Sequence, residues 1–173
     1  MFYSKQLNWI ILSCVALLFT ISFSACGDDD PEENNCLPDF GTSVANGSFM
    51  GSTFTLAEGT AKEDFADENK YRITFYGESV MGDACDNFNF ERPVFSIIFS
   101  VPKEVGVYTL GFDAGNTVTF NDASVVNEVN ADVAICGAVE IVSVTADLVT
   151  GRIDAFANDD SDLNGTFSVR LCP

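Results

Sequence analysis

From residue 41 onward, apolar side chains recur at every second position, the period of a half-buried strand. Tyr71-Arg72-Ile73-Thr74-Phe75-Tyr76 places Tyr71, Ile73 and Phe75 on one face. Val94 to Val101 gathers Phe95, Ile97, Phe99 and Val101, with Ser96, Ile98 and Ser100 opposite, which predicts a central strand. Further strands are predicted at Val107 to Leu110, Thr117 to Phe120, Val139 to Val144, Arg152 to Phe156 and Thr166 to Leu171. In the last, Phe167, Val169 and Leu171 face inward. Asn46-Gly47 and Met50-Gly51 bracket Phe49 and predict a hairpin into Thr53-Phe54-Thr55-Leu56. Pro102 with Gly106 ends one strand, and Thr150-Gly151 and Asn164-Gly165 read as turns. Glu58 to Asn69 is polar and reads as a loop with one helical turn. No ten-residue stretch carries a helical period, and no repeat occurs. The expectation is an all-β domain of about seven or eight strands, an antiparallel β-sandwich or a flattened barrel.

Ahead of this domain the pattern changes. Trp9 to Phe23 is a continuous apolar run with Lys5 before it and small residues after it, the order of a secretory signal. It is shorter than the ~20 residues a membrane-spanning helix needs. The run closes on Phe23-Ser24-Ala25-Cys26 and is followed by Gly27-Asp28-Asp29-Asp30-Pro31-Glu32-Glu33. This arrangement resembles the lipobox of bacterial lipoproteins, although Phe23 stands where Leu is usual. The resemblance implies cleavage before Cys26 and a lipid on its thiol. The alternative is a plain signal peptide cut after Ser24. The acidic run resembles the export signal that sends lipoproteins of the Bacteroidota to the outer face of the outer membrane; otherwise it is an acidic linker. The chain thus divides into a signal peptide (1–25), a lipidated Cys with a self-repelling acidic tether (26–40) and a β domain (41–173).

Removing the first 25 of 173 residues leaves 148, one domain and its tether. All 26 acids and seven of the eight bases remain, a formal balance of −19. Such a surface excludes nucleic acid as a partner and suits cations or cationic ligands, Ca²⁺ among them. Sixteen Phe, three of them in the leader, supply ample core. Cys36, Cys85, Cys136 and Cys172 remain after Cys14 and Cys26 are set aside, an even number that predicts two disulfides in an oxidising compartment. A simple up-and-down order brings Cys36, Cys85 and Cys172 to one end and pairs Cys172 with Cys36 or Cys85.

The chain has no His, so neither a Ser-His nor a Cys-His nucleophile can be built. Paired carboxylates could still act on a glycan, and Glu140 and Asp154 interrupt strands, as candidates for a cleft or simply for the solvent face. Asp160-Ser161-Asp162-Leu163-Asn164-Gly165 matches the opening of a calcium loop, with Asp160, Asp162 and Asn164 as ligands. An EF-hand is excluded, because its twelfth position is Leu171 on a strand. The other reading is an Asx-rich hairpin turn. Phe88-Asn89-Phe90 is either an exposed sugar or peptide platform or core packing.

Gly137-Ala138-Val139-Glu140-Ile141, Thr150-Gly151-Arg152-Ile153 and Asn164-Gly165-Thr166-Phe167-Ser168 form an ending similar to that of small β-rich Bacteroidota lipoproteins. Val105-Gly106-Val107-Tyr108-Thr109-Leu110 fits the same grammar. That likeness carries no chemistry with it. The expectation is an outer-membrane, surface-facing lipoprotein, a non-catalytic binding or structural module without a cofactor. Its partners would be the membrane, through the anchor, and a glycan, peptide or protein. The alternatives are a lipocalin-like binder, whose barrel would be open and apolar inside, and a carboxylate-based enzyme.

Overall fold

The computed structural model describes residues 36–86, 90–91, 93–124 and 130–173. Cys26 and the acidic run behind it lie outside the described residues, as do Phe88 and Asn89 of the aromatic platform. The described chain is all-β, with no helix. In chain order its strands are β1 (Asn46–Phe49), β2 (Ser52–Thr55), β3 (Glu58–Glu63), β4 (Lys70–Tyr76), β5 (Met81–Gly82), β6 (Phe90–Glu91), β7 (Phe95–Pro102), β8 (Gly106–Thr109), β9 (Val118–Asp122), β10 (Asn130–Ala134), β11 (Cys136–Val144), β12 (Leu148–Asn158) and β13 (Ser161–Leu171).

Eleven of them form one sheet rather than two stacked ones. Its path is β10-β9-β7-β4-β3-β13-β12-β11-β8, and β1 and β2 add to the edge of β13. The sheet is mixed, because β13 runs parallel to β3 with Arg170 opposite Thr60. Its eleven-residue length lets one edge serve two neighbours: β1 pairs with Asp162, Leu163 and Asn164, and β3 with Arg170 and Leu171. The sheet curls until its far parts meet. Ile135, just past β10, donates its amide to the Phe156 carbonyl on β12 (3.2 Å). Ser161 Oγ, fully buried, donates to Asp132 Oδ2 (2.6 Å) and accepts the Met50 amide (3.0 Å).

The period-2 pattern explains what fills the curl. Ile73 and Phe75 on β4, Ile97, Phe99 and Val101 on β7, and Leu163, Phe167 and Val169 on β13 share one core. Fully burying such a side chain contributes about 1.5–3 kcal/mol. Phe75, Phe99 and Phe167 meet edge-on or tilted at centroid distances of 5.1, 5.2 and 6.1 Å. Phe49 gathers Phe54, Phe95 and Phe120 at 6.3, 5.2 and 5.9 Å. The interior is therefore packed with aromatic rings rather than open.

Several elements differ from expectation. There are more strands than seven or eight, since the supposed loop at 58–69 begins with β3, and β10 carries too little apolar alternation to announce itself. The predicted hairpin into Thr53 forms, turning at Met50 (φ 47°) and Gly51 (φ 76°), whose positive torsions match the twist of the flanking strands. Asn164-Gly165 and Thr150-Gly151 are not turns; they lie inside β13 and β12, which turn at Asp159-Asp160. Gly151 is there for space: it pairs with Phe167, and a Cβ on it would come within 2.5 Å of the Phe167 ring.

Candidate functional site

A cleft of about 500 Å³ opens where β1 turns into β2 and where β7 begins. Phe49, Phe54, Val94 and Phe95 supply its apolar lining, and Ser52, Thr53, Thr55, Ser124 and Glu78 its polar part. Phe95 is the key residue. It stands on the inward row of β7 with Ile97 and Phe99, which are buried, yet it is 43% exposed. The row continues one rung past the closed core, so the last ring covers Phe49 on one side and meets solvent on the other. β2 forms the facing wall: Phe54 points into the core and Thr53 and Thr55 point out.

Among the described residues, the charges at the cleft are acidic. Glu78 is, among the described residues, the single carboxylate in its lining. Asp122, directly across from Phe95, is held below the usual carboxylate range by hydrogen bonds from Ser124, whose amide lies 2.7 Å away, and from Asn130. Acidic side chains beside aromatic rings favour a neutral or cationic guest and oppose an anionic one.

The acids singled out in the sequence lie elsewhere. Glu140 and Asp154 project from the outer face of β11 and β12, where residues 36–44 cross as a strap. Glu140 binds Arg152 (2.5 Å) and raises its pKa, while the Phe40 ring covers the guanidinium at 4.9 Å. Asp154 accepts the Asp39 amide (2.8 Å) and the Asn164 side-chain amide (3.0 Å). Asn164 also donates to the Asp39 carbonyl (2.7 Å) and accepts the Gly41 amide (2.6 Å). These polar groups clamp the strap to the domain.

The disulfide Cys36–Cys136 seals that clamp, and Cys85–Cys172 ties the β5–β6 ribbon to the end of β13, beside the Arg170–Asp83 ion pair. Cys172 thus takes one of its two expected partners. Cys36 lies instead at the other end of β13's neighbours, because the strap runs back along the outer face.

The calcium candidates have other positions and partners. Asp160 sits in the β12–β13 turn, Asp162 accepts the Ser48 amide (3.0 Å), and Asn164 is committed to the strap. Among the described residues no group of three or more His, Cys, Asp or Glu is placed to hold a metal ion. The cleft itself was missed in the sequence, because its residues come from four separated segments joined only by curling. The one local signal is Val94-Phe95, an apolar start to β7 just after Pro93. Set beside known proteins, the chain matches no family, no curated protein and no solved structure.

Proposed function

We propose that this chain is a lipid-anchored, non-catalytic binding module of a bacterial outer surface, and that its cleft holds a small neutral or cationic apolar molecule. The observation that carries the reading is the cleft: about 500 Å³, aromatic on one side, hydroxyl-rimmed on the other. That volume falls in the range of roughly 300–1,000 Å³ typical of small-molecule sites. The site lies at the mouth of the curl, beside an interior filled by Phe75, Phe99, Phe120 and Phe167. The anchor rests on Cys26 and the acidic run after it, and the two disulfides are compatible with an oxidising compartment. A carboxylate enzyme draws no support from a cleft whose lining, among the described residues, holds Glu78 as its one acid.

Two arms test this reading. Growth with radiolabelled palmitate should label the full chain, with Cys26→Ser unlabelled; labelling that survives the substitution removes the anchor. Protein extracted from its host should release a stoichiometric apolar compound to mass spectrometry. Thr53→Trp, which fills the cleft from its exposed wall, should release none; equal release from both proteins removes the binding site.

A further inference from the structure

The opposite ends of β4 and β7 carry a second surface with a different character. Three loops meet there: 64–69 between β3 and β4, 103–105 between β7 and β8, and 110–117 between β8 and β9. Each presents a large apolar side chain to solvent: Phe65 at 85% exposure, Val105 at 66% and Phe112 at 72%. Apolar residues this exposed on three adjoining loop tips mark an interaction surface when the loops are held in place.

They are held. The Lys103 amide donates to the Asn69 carbonyl (3.0 Å), and its ammonium pairs with Glu63 (2.7 Å). Lys70 Nζ donates to the Gly115 carbonyl (3.4 Å), tying the start of β4 to the third loop. Asp64 organises the first loop from below: its buried carboxylate accepts the Ala66 amide (2.8 Å) and the Ser100 hydroxyl. The Arg72 guanidinium stacks 5.2 Å from the Phe65 ring. A recess of about 270 Å³, with Arg72, Ile98, Ser100, Gly115 and Thr119 among its lining residues, lies on β4, β7 and β9 beside the third loop. Phe65 is thus presented on a preformed turn, and ordering it on contact costs little.

Charge decides the occupant. Lys70, Arg72 and Lys103 are engaged by the Gly115 carbonyl, the Phe65 ring and the Glu63 carboxylate at the end of β3. Glu68, Glu104 and Asp113 are exposed on the same loops, beside Asp67, whose carboxylate accepts from Asn69. We infer that this end of the domain docks a protein surface that is apolar at its centre and ringed by Lys and Arg. An anionic lipid surface would be repelled by the same acids, as would a second copy of a chain whose formal charge is −18. This site is independent of the cleft, which lies at the other ends of β4 and β7.

The test places the photocrosslinker p-benzoylphenylalanine at 65 or 112 in the full chain on intact cells, with Phe156, an exposed ring on another face, as control. Both loop positions should give the same discrete protein adduct, absent from position 156. Glu68→Lys with Asp113→Lys should cut its yield about tenfold, as expected when rim charges steer association. These positions are exposed, and an unchanged thermal melt verifies that the domain stays folded. No adduct, adducts that differ between 65 and 112, an adduct of twice the chain's own mass, lipid adducts alone, or a yield indifferent to charge reversal would each overturn the inference.

Discussion

Asp64 is the residue whose environment does the most for its size. Burial alone would raise its pKa, but the Ser100 hydroxyl, the Ala66 amide and the nearby Arg72 and Lys70 together hold it below the usual carboxylate range. A depressed folded value stabilises the protein above the unfolded pKa, and that contribution disappears as pH falls through the folded one. Asp64→Asn should therefore cost about 1–2 kcal/mol at pH 7 and little at pH 2, as read from urea unfolding at both. An equal loss at both values would show that shape rather than charge matters. Gly151 tests packing at the same scale. A Cβ there meets the Glu140 carbonyl at 2.1 Å and the Phe167 ring at 2.5 Å. Gly151→Ala should cost about 1–3 kcal/mol or more, by the same assay. Residues of this kind mark where the sequence was least legible. Asn164-Gly165 has the composition of a turn, yet the Asn side chain serves the strap and the glycine lies within a strand. Local chemistry cannot reveal a partner more than a hundred residues away.

At the scale of elements, the long alternating strands were readable and the short polar ones were not. β4, β7 and β13 bury large side chains at every second position, so their pattern survives any tertiary arrangement. β3 turns Gly59 and Ala61 inward, and β10 carries only Ala and Val as its apolar residues, so neither stands out from a loop. The strap was invisible for a related reason: it is held by hydrogen bonds and one disulfide rather than by a hydrophobic face. Cys36–Cys136 closes a loop of 100 residues. Replacing both cysteines with serine should cost about 2–4 kcal/mol and lower the melting temperature. An unchanged melt would mean that the polar clamp suffices. The β12–β13 turn has its own prediction. With Asp162 and Asn164 already engaged, millimolar Ca²⁺ should leave the melting temperature unmoved. A rise would restore the turn as a calcium site.

For the whole molecule, the all-β class followed from periodicity, while the closure did not. One long final strand with neighbours β1 and β3 on a single edge makes the sheet mixed and lets it curl around one core. Curling in turn creates the two ends that matter. One carries the aromatic cleft, near the β1–β2 turn, which bonds to Asp160 of the β12–β13 turn (2.8 Å). The strap begins on that side as well, since Cys136 lies opposite Phe156, close to the same turn. The other end carries the three apolar loop tips. The cleft is the centre of the functional account, and a fluorescence titration with the neutral probe N-phenyl-1-naphthylamine tests it most directly. The non-lipidated protein (Cys26→Ser) should enhance the probe's emission saturably at one site, Thr53→Trp should abolish the signal, and Phe95→Ala should weaken binding by about tenfold or more. Emission that is unaffected by filling the cleft, or that never saturates, would contradict the account.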